Sequence, residues 1–160
     1  MKKVTKLAAI PANSTITNGF EAIDYYDSYA ILKKSHKSAK EISKEIMQLP
    51  GWVDFLLSLR NKVVGLFGLK TKKDTTDTEN FFKLLENRED EIVMGEDDKH
   101  LNFRASIIKD ESAGSIILNT IVHYNNVWGR VYFLPVKPFH KIIMKTLLKR
   151  YLKKQKDGNG

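Results

Sequence analysis

Hydrophobic and polar residues in the first half of the chain follow a helical period twice. Ser38 can cap a helix, and Glu41 three residues later completes a capping box, with the helix ending before Pro50. In residues 51–67 apolar positions recur at spacings of three and four, which predicts a second helix with one buried face. Residues 20–33, before both helices, are rich in tyrosine and isoleucine and alternate loosely, which is typical of a strand.

The second half of the chain is punctuated by Gly, Asn and Asp at the intervals that antiparallel hairpins require. Five short strands are predicted at residues 81–87, 91–95, 101–109, 115–124 and 129–134. A third helix should begin near Pro138, whose fixed φ suits a first helical turn. Its inner face is predicted to carry Phe139, Ile142, Ile143, Leu147 and Tyr151, and its outer face a ridge formed by Lys141, Lys145, Lys149 and Lys153.

The elements therefore run strand, two short helices, antiparallel strands and a long helix. This order predicts an α+β helix-grip fold, in which a curved antiparallel sheet wraps around the C-terminal helix. We expect an N-terminal arm at residues 1–19, one domain at residues 20–154 and a polar tail at residues 155–160. The polar, threonine-rich residues 70–80 are typical of a connecting loop.

Composition narrows the class of protein. A chain of 160 residues with 42% hydrophobic content is long enough for one well-buried core. The absence of cysteine excludes disulfides and thiolate metal sites and suits a reducing compartment, so a cytoplasmic protein is expected. The N-terminal lysines precede too short an apolar stretch for a signal peptide, and no apolar run approaches the ~18 residues of a spanning helix.

Charge is concentrated at the C-terminal end. The chain has 27 basic and 19 acidic residues, and residues 137–156 hold eight of the basic ones and none of the acidic ones. The lysine ridge on this segment could bind an anionic membrane surface or only keep the helix solvated. Nucleic acid is an unlikely partner, since no aromatic residues are interleaved for base stacking.

No catalytic motif is present, so candidate chemistry rests on isolated residues. His100 and Arg104 alternate along one strand and could hold an anion, and His123 could transfer a proton. A structural role is also typical of these residues, with His100 and Arg104 on the outer face or paired with Asp97, Asp98 or Glu96, and with His123 completing the hydrogen bonds of a turn. Asp97, Asp98 and His100 form too weak a set for a metal site, so no metal or cofactor is expected.

Five sequence motifs indicate a resemblance to a known family. YYDSY (residues 25–29), PGWVDFLLSLRNKVVGLFGLK (50–70), MGEDDKHLNFRAS (94–106), TIVHYNNVWGRVYF (120–133) and VKPFHKIIMKTLLKR (136–150) resemble a bacterial family of unknown function. That family is identified as a member of the START and polyketide-cyclase-like superfamily, which also includes birch-pollen-allergen-like proteins. The resemblance implies a helix-grip fold with a cavity between sheet and helix, and it implies no catalytic residues.

The expected function is therefore binding of a small apolar or amphipathic molecule in that cavity. Aromatic and aliphatic residues of the predicted walls, which plain core packing would equally explain, are Tyr25, Trp52, Phe103, Tyr132, Phe139, Ile143 and Leu147. One alternative is a cyclase-, dehydratase- or hydrolase-like enzyme that uses His100, Arg104 or His123 in the same cavity. A further alternative is binding to an anionic surface through the lysine ridge.

Overall fold

The computed structural model describes residues 3–48 and 83–158, which fold as one antiparallel sheet packed against two helices. The strands are β1 (Thr5–Lys6), β2 (Tyr25–Leu32), β3 (Lys83–Asn87), β4 (Glu91–Asp97), β5 (Leu101–Asp110) and β6 (Ser115–Tyr124), and the helices are α1 (Ala39–Met47) and α2 (Val127–Asp157). The sheet order is β1-β2-β6-β5-β4-β3. This curved open sheet with its long C-terminal helix is the predicted α+β helix-grip fold.

The strand predictions are confirmed for most of the sheet. Four predicted strands correspond to β3, β4, β5 and β6, and the strand predicted at residues 20–33 is present as the shorter β2. The predicted helix at residues 51–67, the loop at residues 70–80, and Trp52 lie outside the described residues. Helix α2 continues to Asp157, beyond the predicted end of the domain at residue 154.

Helix α1 begins as its sequence predicts. The Ser38 side chain accepts a hydrogen bond from the Glu41 backbone N–H, and the Glu41 carboxylate accepts one from the Ser38 N–H. The helix then buries Ile42 and Ile46 against the sheet. Reciprocal capping satisfies two of the orphan donors of the first turn, so the helix start is fixed locally.

Helix α2 begins earlier than predicted. The strand predicted at residues 129–134 and the helix start predicted near Pro138 are both wrong, because Asn126 caps a helix that already includes these residues. The Asn126 side chain accepts a hydrogen bond from the Gly129 N–H at 3.1 Å. Pro135 and Pro138 both lie inside the helix, where each removes one backbone donor, so tertiary packing outweighs their helix-breaking tendency.

Burial shows which side of α2 faces the sheet. Phe133, Met144 and Leu148 are buried, whereas Ile142 is 61% exposed and Phe139 is 42% exposed. The prediction that Phe139 and Ile142 lie on the inner face is therefore wrong. Apart from Met144, the buried residues of the inner core are aliphatic or tyrosine, and they include Tyr29, Ile31, Ile107, Ile116, Leu118, Leu147, Leu148 and Tyr151.

The N-terminal segment covers the outer face of the sheet. After β1 pairs with the edge of β2, the chain crosses the sheet and buries Ile16 against Val93 and Ile121. The Thr15 N–H and the Ser14 hydroxyl donate hydrogen bonds to the buried Glu91 carboxylate. The segment predicted as an extended arm thus forms the second, smaller core of the protein.

Candidate functional site

A buried carboxylate lies between the sheet and α2. Alternation along β2 places Tyr25, Asp27 and Tyr29 on the face that contacts the helix. Asp27 is only 1% exposed. Its Oδ2 accepts hydrogen bonds from the Tyr25 hydroxyl and from Nδ1 of His140 on α2, the latter at 3.1 Å. The Tyr29 hydroxyl lies 3.5 Å from Oδ1, so three side chains surround this carboxylate.

The surroundings of Asp27 keep it ionised. Burial raises its pKa, but the hydrogen bonds from His140 and Tyr25 and the charge of Lys141 outweigh that effect, so the pKa lies below its ordinary value of 3.8. Burial, followed by the negative charge and hydrogen bonding of Asp27, raises the pKa of both Tyr25 and Tyr29. The tyrosines are therefore neutral hydrogen-bond donors at physiological pH.

The carboxylate also orients the His140 ring. Because an ionised carboxylate can only accept, the proton of the shared hydrogen bond resides on Nδ1 of His140. The Nε2 atom then points away from Asp27, and the side chain retains 16% exposure. A buried aspartate that fixes a partly accessible histidine is an arrangement that suits ligand binding and proton transfer.

Two buried hydroxyls nearby lack hydrogen-bond partners among the described residues. They are Thr120 Oγ1 and the Tyr124 hydroxyl, both on the inner face of β6. Thr120 lies directly opposite Asp27 in the strand register. A buried polar atom without a partner costs roughly 1–3 kcal/mol, which a ligand could offset by supplying the missing hydrogen bond.

Apolar side chains border these polar groups. The Phe133 ring lies 4.8 Å from that of Tyr25 and 6.0 Å from that of Tyr124, measured between centroids. On the neighbouring strand, Phe103 and Ala105 remain partly exposed although Ile107, on the same face of β5, is buried. Exposure on the inner face of β5 thus increases from Ile107 to Phe103, and we refer to the Ile107 end of the interface as sealed and to the Phe103 end as open. We refer to the polar groups and their aromatic neighbours as the Asp27 cluster: Tyr25, Asp27, Thr120, Tyr124, Phe133 and His140.

The predicted ligand-binding residues fall into two regions of this interface. Tyr25 belongs to the Asp27 cluster, and Phe103 lies on the partly open wall beside it. Leu147 is in the sealed core, and Ile143 packs against that core from its edge. Tyr132 is half-buried and Phe139 is exposed on α2.

The candidate catalytic residues lie elsewhere. Arg104 is on the outer face of the sheet, where it pairs with Asp97 at 2.6 Å and stacks on the ring of Phe20 at 4.8 Å. His123 is also on the outer face and contacts Asp24 at 2.8 Å. Neither side chain can reach a ligand between sheet and helix.

His100 and the lysine ridge complete the set of predicted residues. His100 contacts the Asn126 side chain at the end of the β4–β5 hairpin, 3.3 Å away. Lys145, Lys149 and Lys153 are exposed along α2, whereas Lys141 is half-buried near Asp27. Sequence reasoning overlooked Asp27 and His140, although an acidic residue between two inward-facing tyrosines in YYDSY was a usable signal.

A second concave region lies at the far end of α2. A polar pocket of about 430 Å³ is lined by Lys37, Glu45, Lys154, Gln155, Asp157 and Gly158. Its charges are mixed, and Lys37 is already paired with Glu45. Within residues 3–48 and 83–158, no three His, Asp or Glu side chains converge as a metal site would require.

Comparison with known proteins yields one match. Residues 20–147 match the family model described as Protein of unknown function (DUF2867). No curated protein and no solved structure matches the chain.

Proposed function

The chain belongs to the DUF2867 family, and since the description of that family states no activity, we propose from the geometry that the protein binds a small amphipathic molecule between its sheet and α2. The observation that carries this proposal is a pair of buried hydroxyls near Asp27 and His140, those of Thr120 and Tyr124, which have no hydrogen-bond partner within the described part of the chain. Membership of the START and polyketide-cyclase-like superfamily is proposed with it, on the helix-grip arrangement and the sequence resemblance.

The two ends of the interface support an amphipathic ligand. At the sealed end, aliphatic side chains from the sheet and from α2 fill the space, with Leu148 and Ile116 fully buried. At the open end, Phe103 and Ala105 offer an apolar wall that leads to the polar groups of the Asp27 cluster. A ligand would lay its apolar body on that wall and direct its polar head to Thr120, Tyr124 and His140.

The negative charge of Asp27 limits the charge that the head group of a ligand can carry. A second anion beside a buried carboxylate would be repelled in a region of low dielectric, so a ligand carboxylate is disfavoured. The Thr120 and Tyr124 hydroxyls can donate to a carbonyl oxygen, and Nε2 of His140 can accept from a hydroxyl group. We therefore favour a neutral head that carries carbonyl or hydroxyl groups.

Native mass spectrometry of gently purified protein tests the proposal. A retained small molecule, released on denaturation, is the expected result, with less retained by the His140→Gln variant. His123→Gln is the matched control, because His123 also contacts an aspartate through Nδ1 but lies on the outer face. Equal retention by both variants would place the ligand elsewhere. If the wild-type protein retains nothing and no amphipathic compound in a broad panel raises its melting temperature, the proposal fails.

The orientation of His140 favours one second candidate, an acid–base enzyme of the cyclase, dehydratase or hydrolase type. Nε2 would remove a proton from the bound molecule while Asp27 stabilises the imidazolium that forms. In D₂O, the wild-type protein should exchange deuterium into an enolisable ligand, and His140→Gln should not. Equal exchange in both proteins would remove this candidate while leaving ligand binding intact.

A further inference from the structure

The side of α2 that faces away from the sheet is apolar along its first half. Val127, Val131, Leu134 and Ile142 lie on this side, and their exposed fractions range from 41 to 66%. Their spacings are those of one helix face, which is centred away from the buried Phe133 and Met144. Trp128 is also exposed beside them. Large apolar side chains concentrated on one exposed stripe are typical of an interaction surface.

The same face becomes basic along the second half of the helix. Lys149 follows Ile142 by seven residues, and Lys153 continues at an interval of four. Both lysines are exposed, whereas the Nζ atom of Lys145 lies 5.7 Å from the centroid of the buried Tyr29 ring and so turns towards the sheet. Helix α2 contains no acidic residue before Asp157, so no carboxylate in this part of the helix offsets the positive charge of its lysines.

No helix in the described part of the chain could cross a membrane. A surface that combines an apolar stripe with a line of lysines instead fits the interface of an anionic bilayer. Apolar side chains enter the boundary between headgroups and acyl chains, and each lysine near the surface strengthens binding about fivefold. Nucleic acid would bind the lysines through its phosphates but would make no favourable contact with the apolar stripe.

We propose that the outward face of α2 docks on an anionic membrane surface, with Val127, Val131, Leu134 and Ile142 at the headgroup boundary and Lys149 and Lys153 on lipid phosphates. Docking would place the opposite side of the same helix half, which carries Phe133 and His140, a helix diameter from the bilayer. The proposal stands on the exposed face alone and does not depend on ligand binding.

Vesicle co-sedimentation provides the test. The full chain should bind vesicles of phosphatidylcholine and phosphatidylserine, and should not bind phosphatidylcholine alone. Lys149→Glu/Lys153→Glu should lower the partition coefficient at least about tenfold. The matched control is Lys40→Glu/Lys44→Glu on α1, which changes the net charge equally at two exposed lysines and should retain most binding.

A second pair of variants tests the apolar half of the outward face of α2. Leu134→Ser should weaken vesicle binding several-fold, whereas Leu32→Ser, at the similarly exposed Leu32 on β2, should not. Circular dichroism confirms that each variant is folded. Absence of binding to anionic vesicles, equal losses in the test and control variants, or binding to duplex DNA alone would each overturn the proposal.

Discussion

Asp27 is the residue on which the candidate site depends. A buried carboxylate is costly unless it is hydrogen-bonded, and here Tyr25 and His140 both donate to it. This satisfied anion stands directly opposite the unsatisfied Thr120 hydroxyl. The stability of the fold accounts for the hydrogen bonds to Asp27. It does not account for a buried hydroxyl at position 120, since a valine there would fit the same space.

Thr120→Val should therefore separate stability from binding. Removing a buried, unpaired hydroxyl should raise the free energy of unfolding by about 1 kcal/mol and the melting temperature by roughly 2–4 °C. The same variant should retain less ligand in native mass spectrometry, because its head group loses a hydrogen-bond partner. A destabilised variant would show that Thr120 has a partner within the folded protein.

The lowered pKa of Asp27 predicts a defined pH dependence. Since the folded-state pKa lies below the ordinary value of 3.8, its contribution is present above that pH and is lost as the pH falls towards the folded-state value. Asp27→Asn should cost roughly 1–3 kcal/mol at neutral pH through its disturbed hydrogen bonds. The difference from the wild-type protein should shrink below pH 3.8, as urea unfolding across pH would show. A constant difference would contradict the assignment.

At the scale of elements, α2 is held to the sheet by close contact at its first turn. A Cβ on Gly129 would lie 2.0 Å from the carbonyl oxygen of His100, so only glycine permits this approach. The contact joins the helix start to the β4–β5 hairpin, where Asn125 also donates to the His100 carbonyl. This end of α2 is the one that carries Phe133 towards the Asp27 cluster.

Gly129→Ala should destabilise the protein by about 1–3 kcal/mol, despite the better helix propensity of alanine. The expected readout is a lower midpoint of urea unfolding. Gly158→Ala, at the other end of the helix, is the control, because there the nearest atom to a Cβ is 3.5 Å away and the change should stay within about 0.5 kcal/mol. Equal effects would mean that the His100 contact is dispensable.

Elements with local signals could be predicted from the sequence. The capping box of Ser38 and Glu41 and the alternation of β4, β5 and β6 need no knowledge of the rest of the fold. The start of α2 could not be predicted from the sequence, because Val131, Tyr132 and Phe133 favour strands and two prolines follow them. Asn126 and Gly129 form a cap only when the helix docks on the hairpin.

The candidate site was only partly predictable for the same reason. Tyr25 and Phe103 were predicted to line the interface, and both lie on the sheet face that contacts the helix. His140 meets Asp27 because α2 docks with Phe133, Met144 and Leu148 towards the sheet. The prediction placed Phe139 and Ile142 on the inner face instead and therefore overlooked His140.

At the scale of the whole molecule, the sheet is covered on both faces, by α1 and α2 on one and by the N-terminal segment on the other. Below that segment, Ser28, Asn119 and Ser106 form a buried line of hydrogen bonds across three strands. Ile16 is fully buried above the sheet. The first residues of the chain are thus part of the fold.

Ile16→Ala should cost about 2–5 kcal/mol, as for other large buried aliphatic residues. Ile23→Ala is the control, since Ile23 lies in the same part of the chain but is 44% exposed. Thermal unfolding of the two variants would check the difference. Similar melting temperatures would show that the segment is not required for stability.

The pairing of β2 with β6 has a consequence for synthesis on the ribosome. Ser28 and its partner Asn119 are 91 residues apart, so β2 is made long before the strand that completes it. The N-terminal segment likewise cannot form its hydrogen bonds to Glu91 until that residue has been synthesised. Native pairing cannot close until β6 has emerged, and α2 follows β6 in the chain. The protein should fold in one late step, and nascent chains stalled before residue 115 would expose β2 as an unpaired edge.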